Sequence, residues 1–252
     1  MPDQPAGTPV ALVTMATEHA GPAVARRLAE AGFSLMLQGA DSDLIDSLKR
    51  SGAAVAHSDE DLETPDSARR FVEATLTTFG AIDAAWIRTG VVSRDIGGPF
   101  LTSSQVLLET VNLHNFNMLV YVLQALLPSM VAAGRGNVVV STSAMGLQPQ
   151  PNLSLYSATR AAAIALVRSI GLELAPSGVT INAVATNFLD APSFRAANRA
   201  DTPEGKSRVE ARVPMKRLGD PEELAEFVAV LLDGRTRFQT GQCFSFSGGW
   251  SP

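Results

Sequence analysis

The chain has 252 residues, 46% apolar and 18% charged, a composition that can fill one large core and leads us to expect a single α/β domain over residues 1–252. A net charge of −5, with basic residues scattered rather than clustered, provides no field to attract nucleic acid or an anionic membrane. Cys243 is the lone cysteine, which excludes an intrachain disulfide, a cysteine zinc cluster and a dithiol redox pair.

The polar start, Met1–Thr8, lacks a signal pattern, and no apolar run reaches the ~18–20 residues of a membrane span, so a cytoplasmic location is expected. Val10–Thr14 reads as a short strand, and Gly21–Ala31 follows with apolar residues at helical spacing (Ala23, Val24, Leu28). Phe33–Leu37 is a second strand ended by Gln38-Gly39, Leu44–Arg50 a helix, Ala53–Ala56 a strand and Thr64–Phe79 an amphipathic helix. Ala84–Ile87 is strand-like, and Gln105–Ala133 holds a long helix entering around Asn112 and closing on Gly134. Then come a strand over Asn137–Ser141, an alanine-rich helix over Ser157–Ala175 and a strand over Val179–Ala185. Pro221–Leu232 is a helix with proline in its first turn, and Gln242–Phe246 a last strand. This alternation implies right-handed crossovers and a Rossmann-like doubly wound parallel sheet in three α/β/α layers. Phe188–Lys206, with Pro192 and Pro203, breaks the alternation and is expected to be a mobile substrate loop.

Three residues suggest chemistry. Tyr156 and Arg160 are i and i+4 on a helix, so they can meet on one face, where a guanidinium favours the phenolate. Ser143 ends a central strand, where α/β sheets place ligands, and its hydroxyl could hold a substrate oxygen while Tyr156 exchanges that oxygen's proton. The bland alternative is a strand-end serine and a surface Tyr/Arg pair.

This pattern resembles the short-chain dehydrogenase/reductase family, whose site reads Ser, then Tyr-x-x-x-Lys. Asn112 stands where the family keeps an active-site asparagine, and Thr240-Gly241-Gln242 with Gly248-Gly249 is similar to its closing segment. Four positions depart from it. Arg160 replaces the lysine that also grips the cofactor ribose. The loop T-G-x-x-x-G-x-G is here Thr14-Met15-Ala16-Thr17-Glu18-His19-Ala20-Gly21, Gly39 stands where a charged residue reads the adenosine ribose, and N-N-A-G is Ile87-Arg88-Thr89-Gly90. Each departure falls at a cofactor contact, which leads us to expect that no cofactor binds.

A Ser-Tyr-Arg site with such a loop resembles the halohydrin dehalogenases, marked by S-x12-Y-x3-R and T-x4-[Phe/Tyr]-x-G. The second mark is met at Thr14 and Gly21 but carries His19 at the aromatic position. The resemblance implies a carbon–halide lyase that turns a vicinal haloalcohol into an epoxide plus halide and opens epoxides with halide, azide or cyanide. Ser143, Tyr156 and Arg160 would be catalytic, while Thr14, His19, Thr186, Asn187, Phe188 and Leu189 would line the anion pocket. Backbone N–H groups of Asn187–Leu189 would then receive the anion, and His19 is either a further donor whose charge would switch near its ordinary pKa of ~6.5 or neutral packing in the emptied nucleotide cavity. The alanines of Ser157–Ala175 and the resemblance together lead us to expect a homotetramer with Trp250 near a neighbour. Two other readings remain open: an NAD(P)-dependent oxidoreductase with a degenerate cofactor motif, and a non-catalytic member of the fold.

Overall fold

The computed structural model describes residues 7–90 and 96–252; most of the polar start discussed above lies outside them. Seven strands form one sheet: β1 (Val10–Val13), β2 (Ser34–Gln38), β3 (Val55–Ser58), β4 (Ala84–Arg88), β5 (Gly136–Ser143), β6 (Val179–Thr186) and β7 (Cys243–Phe246). Every pairing is parallel, in the order β3-β2-β1-β4-β5-β6-β7, as the alternating pattern predicts. The central strands β1, β5 and β6 are buried along their whole length, because helices cover both faces.

On one face lie α1 (Gly21–Glu30), α2 (Ser42–Arg50) and α9 (Pro221–Leu232), packing Leu28, Leu48 and Val228 against Val13, Leu35 and Trp86. On the other lie α3 (Pro65–Phe79), α4 (Gln105–Asn112), α5 (Met118–Ala133) and α6 (Ser154–Leu174), packing Phe71, Val122, Leu126 and Val167 against Leu12, Val138 and Ile181. Local signals set the ends. Thr64 and Ser67 cap each other's backbone N–H at the start of α3, and Gly134 closes α5 at φ +65.

Two expectations change. The stretch Gln105–Ala133 is long and apolar enough to cross a membrane by length and composition, with a mean hydropathy of 1.6 over an 18-residue window. Asn112, His114, Asn115 and Asn117 interrupt the run in sequence, and its inward residues, among them Leu119, Leu123 and Met130, belong to the core. A π-helical turn, Leu113–Asn117, joins α4 to α5. Phe188–Lys206 is not an irregular loop, for it forms α7 (Pro192–Asn198) and enters α8 (Pro203–Glu210). Asp190 ties both helices down through Arg195 (2.7 Å) and Lys206 (2.9 Å). Phe188, Phe194 and Val209 form a small core of their own, on which Trp250 packs from the same chain.

Candidate active site

The sheet order reverses between β1 and β4, and the crevice beyond their carboxyl ends is where such sheets bind ligands. Thr14 closes its floor. Its Oγ1 donates to the Arg88 carbonyl at 2.6 Å and accepts the Arg88 N–H at 2.8 Å. With that hydroxyl committed, Thr14 does not line the cavity above, which measures about 300 Å³.

Ser143, Tyr156 and Arg160 come together in this cavity, the first from the end of β5 and the others from the first two turns of α6. The Arg160 guanidinium carbon lies 5.1 Å from the Tyr156 ring centroid, and its Nη1 and Nη2 both donate to the Thr89 carbonyl at 3.1 Å. Burial alone would push the Tyr156 phenol up, but the Arg160 charge, hydrogen bonds from Ser143 and Arg160 and the Arg88 charge outweigh it. The phenol is left below its usual value, which makes its proton easier to pass on.

His19 lines the same cavity. It and Met15 stand where the family has glycine, and both keep the left-handed backbone, at φ +58 and +49. The third glycine is retained at Gly21, where a Cβ would lie 2.5 Å from the Met15 carbonyl oxygen. Burial, then Arg88 and Arg160, hold the His19 pKa well below its ordinary value, and Nδ1 is buried without a partner. The imidazole is therefore neutral in the working range, and the expected charge switch is corrected.

Thr186 and Asn187 line the cavity, but Phe188 and Leu189 point into hydrophobic cores. The expected anion donors are largely engaged within the chain. Asn187 N–H donates to the Phe246 carbonyl at 3.2 Å, and Phe188 N–H to Asn187 Oδ1 at 2.9 Å.

Asn112 is half-buried at the end of α4, whereas Asn115, inside the π-helical turn, is buried with Oδ1 unpartnered. Gly90, at φ +98, lets Asn115 Oδ1 and Arg160 Nη2 sit where any Cβ would collide with them. Arg88, placed by sequence at the end of the fourth strand among the lost motif positions, is buried with its head group in the cavity wall. An arginine closing the apolar run Ala84-Ala85-Trp86-Ile87 was the signal that could have singled it out.

Residues 17–251 match the family described as Enoyl-(Acyl carrier protein) reductase. The chain is 29% identical over 246 residues to 4-formylbenzenesulfonate dehydrogenase of Comamonas testosteroni, covering 95% of this chain and 96% of that one. It is 30% identical over 266 residues to cis-4-hydroxycyclohexanecarboxylate dehydrogenase of Sinomonas cyclohexanicum, covering 96% of each. Among solved structures, a variant of actinorhodin polyketide ketoreductase with NADPH superposes at a TM-score of 0.91 and 26% identity, over 98% of this chain and 99% of that one.

These similarities overturn the expectation of a cofactor-independent carbon–halide lyase acting on haloalcohols, epoxides and halide, azide or cyanide, because these relatives are named as dehydrogenases and reductases. The physical reason is that the departures are changes of side chain, while the loop backbone keeps the left-handed turns at Met15 and His19 and the close packing at Gly21. The match over residues 17–251 and the likeness to named dehydrogenases over nearly the whole chain place this protein in the short-chain dehydrogenase/reductase superfamily.

Proposed function

We propose that this chain, acting as one cytoplasmic domain of residues 1–252, is a nicotinamide-dependent oxidoreductase that interconverts an alcohol and a carbonyl compound. The observation that carries the reading is the buried trio of Ser143, Tyr156 and Arg160 in a fold whose relatives are named as such enzymes. The loop between β1 and α1 fits a dinucleotide in its backbone, and β4 brings a positive charge to it. Its two left-handed turns are kept, Ala20 gives α1 no side-chain cap, and the Arg88 guanidinium stands at the crevice. The obstruction is the His19 imidazole, and its Nδ1 has no hydrogen bond to hold it in place. Met15 and His19, with Gly21, Gly39 and Gly90, would flank the cofactor, and Arg160 would face its ribose.

When bound, the nicotinamide exchanges a hydride with the carbon that bears the reacting oxygen. The chain's own part is the proton. Tyr156 Oη gives it to the carbonyl oxygen in reduction and takes it from the hydroxyl in oxidation, while Ser143 Oγ hydrogen-bonds the same oxygen. Arg160 holds the phenol at its lowered pKa. Met145, Leu153 and Phe194 wall the cavity with apolar surface and limit water at the reacting atoms.

The test is a fluorescence titration with NADPH and NADH, followed by turnover of cyclic secondary alcohols. Saturable micromolar binding is expected. Tyr156→Phe should keep it while kcat falls by ~10²-fold or more. No binding of either nucleotide at millimolar concentration would end the proposal.

A further inference from the structure

Arg88 and Arg160 share one cavity, and neither forms an ion pair with a carboxylate among the described residues. Each is only 4% exposed. Arg88 Nη1 meets neutral acceptors, Met15 Sδ at 3.2 Å and the Gly90 carbonyl at 3.4 Å. Both Arg160 Nη atoms converge on the Thr89 carbonyl, and its Nε is buried with no acceptor. Asn187 Nδ2, a further donor on a lining residue, is also buried without a partner.

A buried cation without a counter-charge is strongly unfavourable, and two side by side repel each other as well. A Tyr156 phenolate can balance one of them and leaves the other. Arg88 registers the imbalance, pushed down to about 10 by burial first and by the Arg160 charge second, which Tyr156 and the exposed Glu18 offset only in part. His19 adds none of the missing negative charge, being neutral. These donors together lack an acceptor that carries charge on several oxygens.

We propose that Arg88 and Arg160, with Asn187 Nδ2, form a seat for an oxyanion, a carboxylate or phosphate group carried by a ligand of this cavity. A planar guanidinium grips either group through two parallel N–H bonds, which a neutral ligand cannot accept with the same strength. The seat stands whichever reaction the site performs.

Inorganic phosphate is the first probe, titrated calorimetrically into the parent, Arg88→Met and Arg88→Lys. Parent binding should weaken about tenfold or more in Arg88→Met and less in Arg88→Lys, which keeps the charge. Without ligand, Arg88→Met should melt no lower than the parent, since it removes an uncompensated buried charge. Competition then separates the sources. Displacement of phosphate by NADPH assigns the seat to the cofactor, whereas displacement by cyclohexanecarboxylate but not by cyclohexanol assigns it to a substrate carboxylate. The proposal is overturned if the parent does not bind phosphate, if neither competitor displaces it, or if Arg88→Met binds it as the parent does. Should Arg88→Met fail to fold, unchanged phosphate affinity in Arg88→Lys and Asn187→Ala together would overturn it equally. A protein that binds phosphate this way yet shows no nucleotide-dependent turnover would keep the seat and lose the oxidoreductase reading.

Discussion

His19 buries an imidazole on a backbone that glycine adopts freely, and its neutrality has a thermodynamic signature. Its folded pKa is depressed, so below the ordinary value of ~6.5 the unfolded chain takes a proton that the folded chain refuses. Stability is therefore lost as pH falls through that value. His19→Phe should remove that loss, so its Tm should fall less on the acid side; parallel curves would show that His19 is not buried and neutral. His19→Gly should tighten NADPH by clearing the loop, which a titration reads directly. Arg160→Met should raise the apparent pKa of alcohol oxidation, because the largest force lowering the Tyr156 phenol is gone; an unmoved profile would detach Arg160 from the proton step. The trio of Ser143, Tyr156 and Arg160 could be read from sequence because one spacing on a helix and one strand end bring it together. Arg88 and Asn115 could not, since their importance depends on which strands and turns become neighbours.

Among the elements, α6 is held closest to the sheet edge. A Cβ on Gly171 would lie 2.5 Å from both N and Cα of Gly241, so the helix and the segment before β7 touch backbone to backbone. Gly171→Ala should lower stability by about 1–3 kcal/mol, measured as a fall in Tm, because neither backbone can yield cheaply. An unchanged Tm would mean that this packing is loose. Most helices and strands were legible because each carries its own period and its own stops, as Thr64 and Gly134 illustrate. The region of α7 and α8 was not, since two short helices hold together through Asp190, through Arg208 on the Asn198 and Arg199 carbonyls and through the Phe188 core, none of which is a local signal. The end of the α4–α5 stretch was legible at Gly134 but its start was not, for helix begins at Gln105 rather than around Asn112, and the wide turn at Leu113–Asn117 shifts the facing residue, so the buried asparagine is Asn115 rather than Asn112.

For the whole molecule, topology survived where motif letters did not, and the chain-long likeness to named dehydrogenases outweighs the four departures. We propose that Leu101, Val106, Leu172 and Phe238, which lie largely exposed, are covered by further copies of the chain. Light scattering should therefore report a mass that is a multiple of 26.5 kDa, and Leu172→Asp should reduce it. A 26.5 kDa particle at micromolar concentration would refute the association. Within one chain, the two-way bond between Thr14 and Arg88 crosses the line at which the crossovers turn in opposite senses. It works like stitching along the spine of an open book. The two halves of the sheet cannot part there to admit a larger guest, so accommodation has to come from His19 and from α7, the helix that carries Phe194 and Asn198 over the opening. The Arg88 amide should accordingly be among the slowest in the protein to exchange with deuterated water.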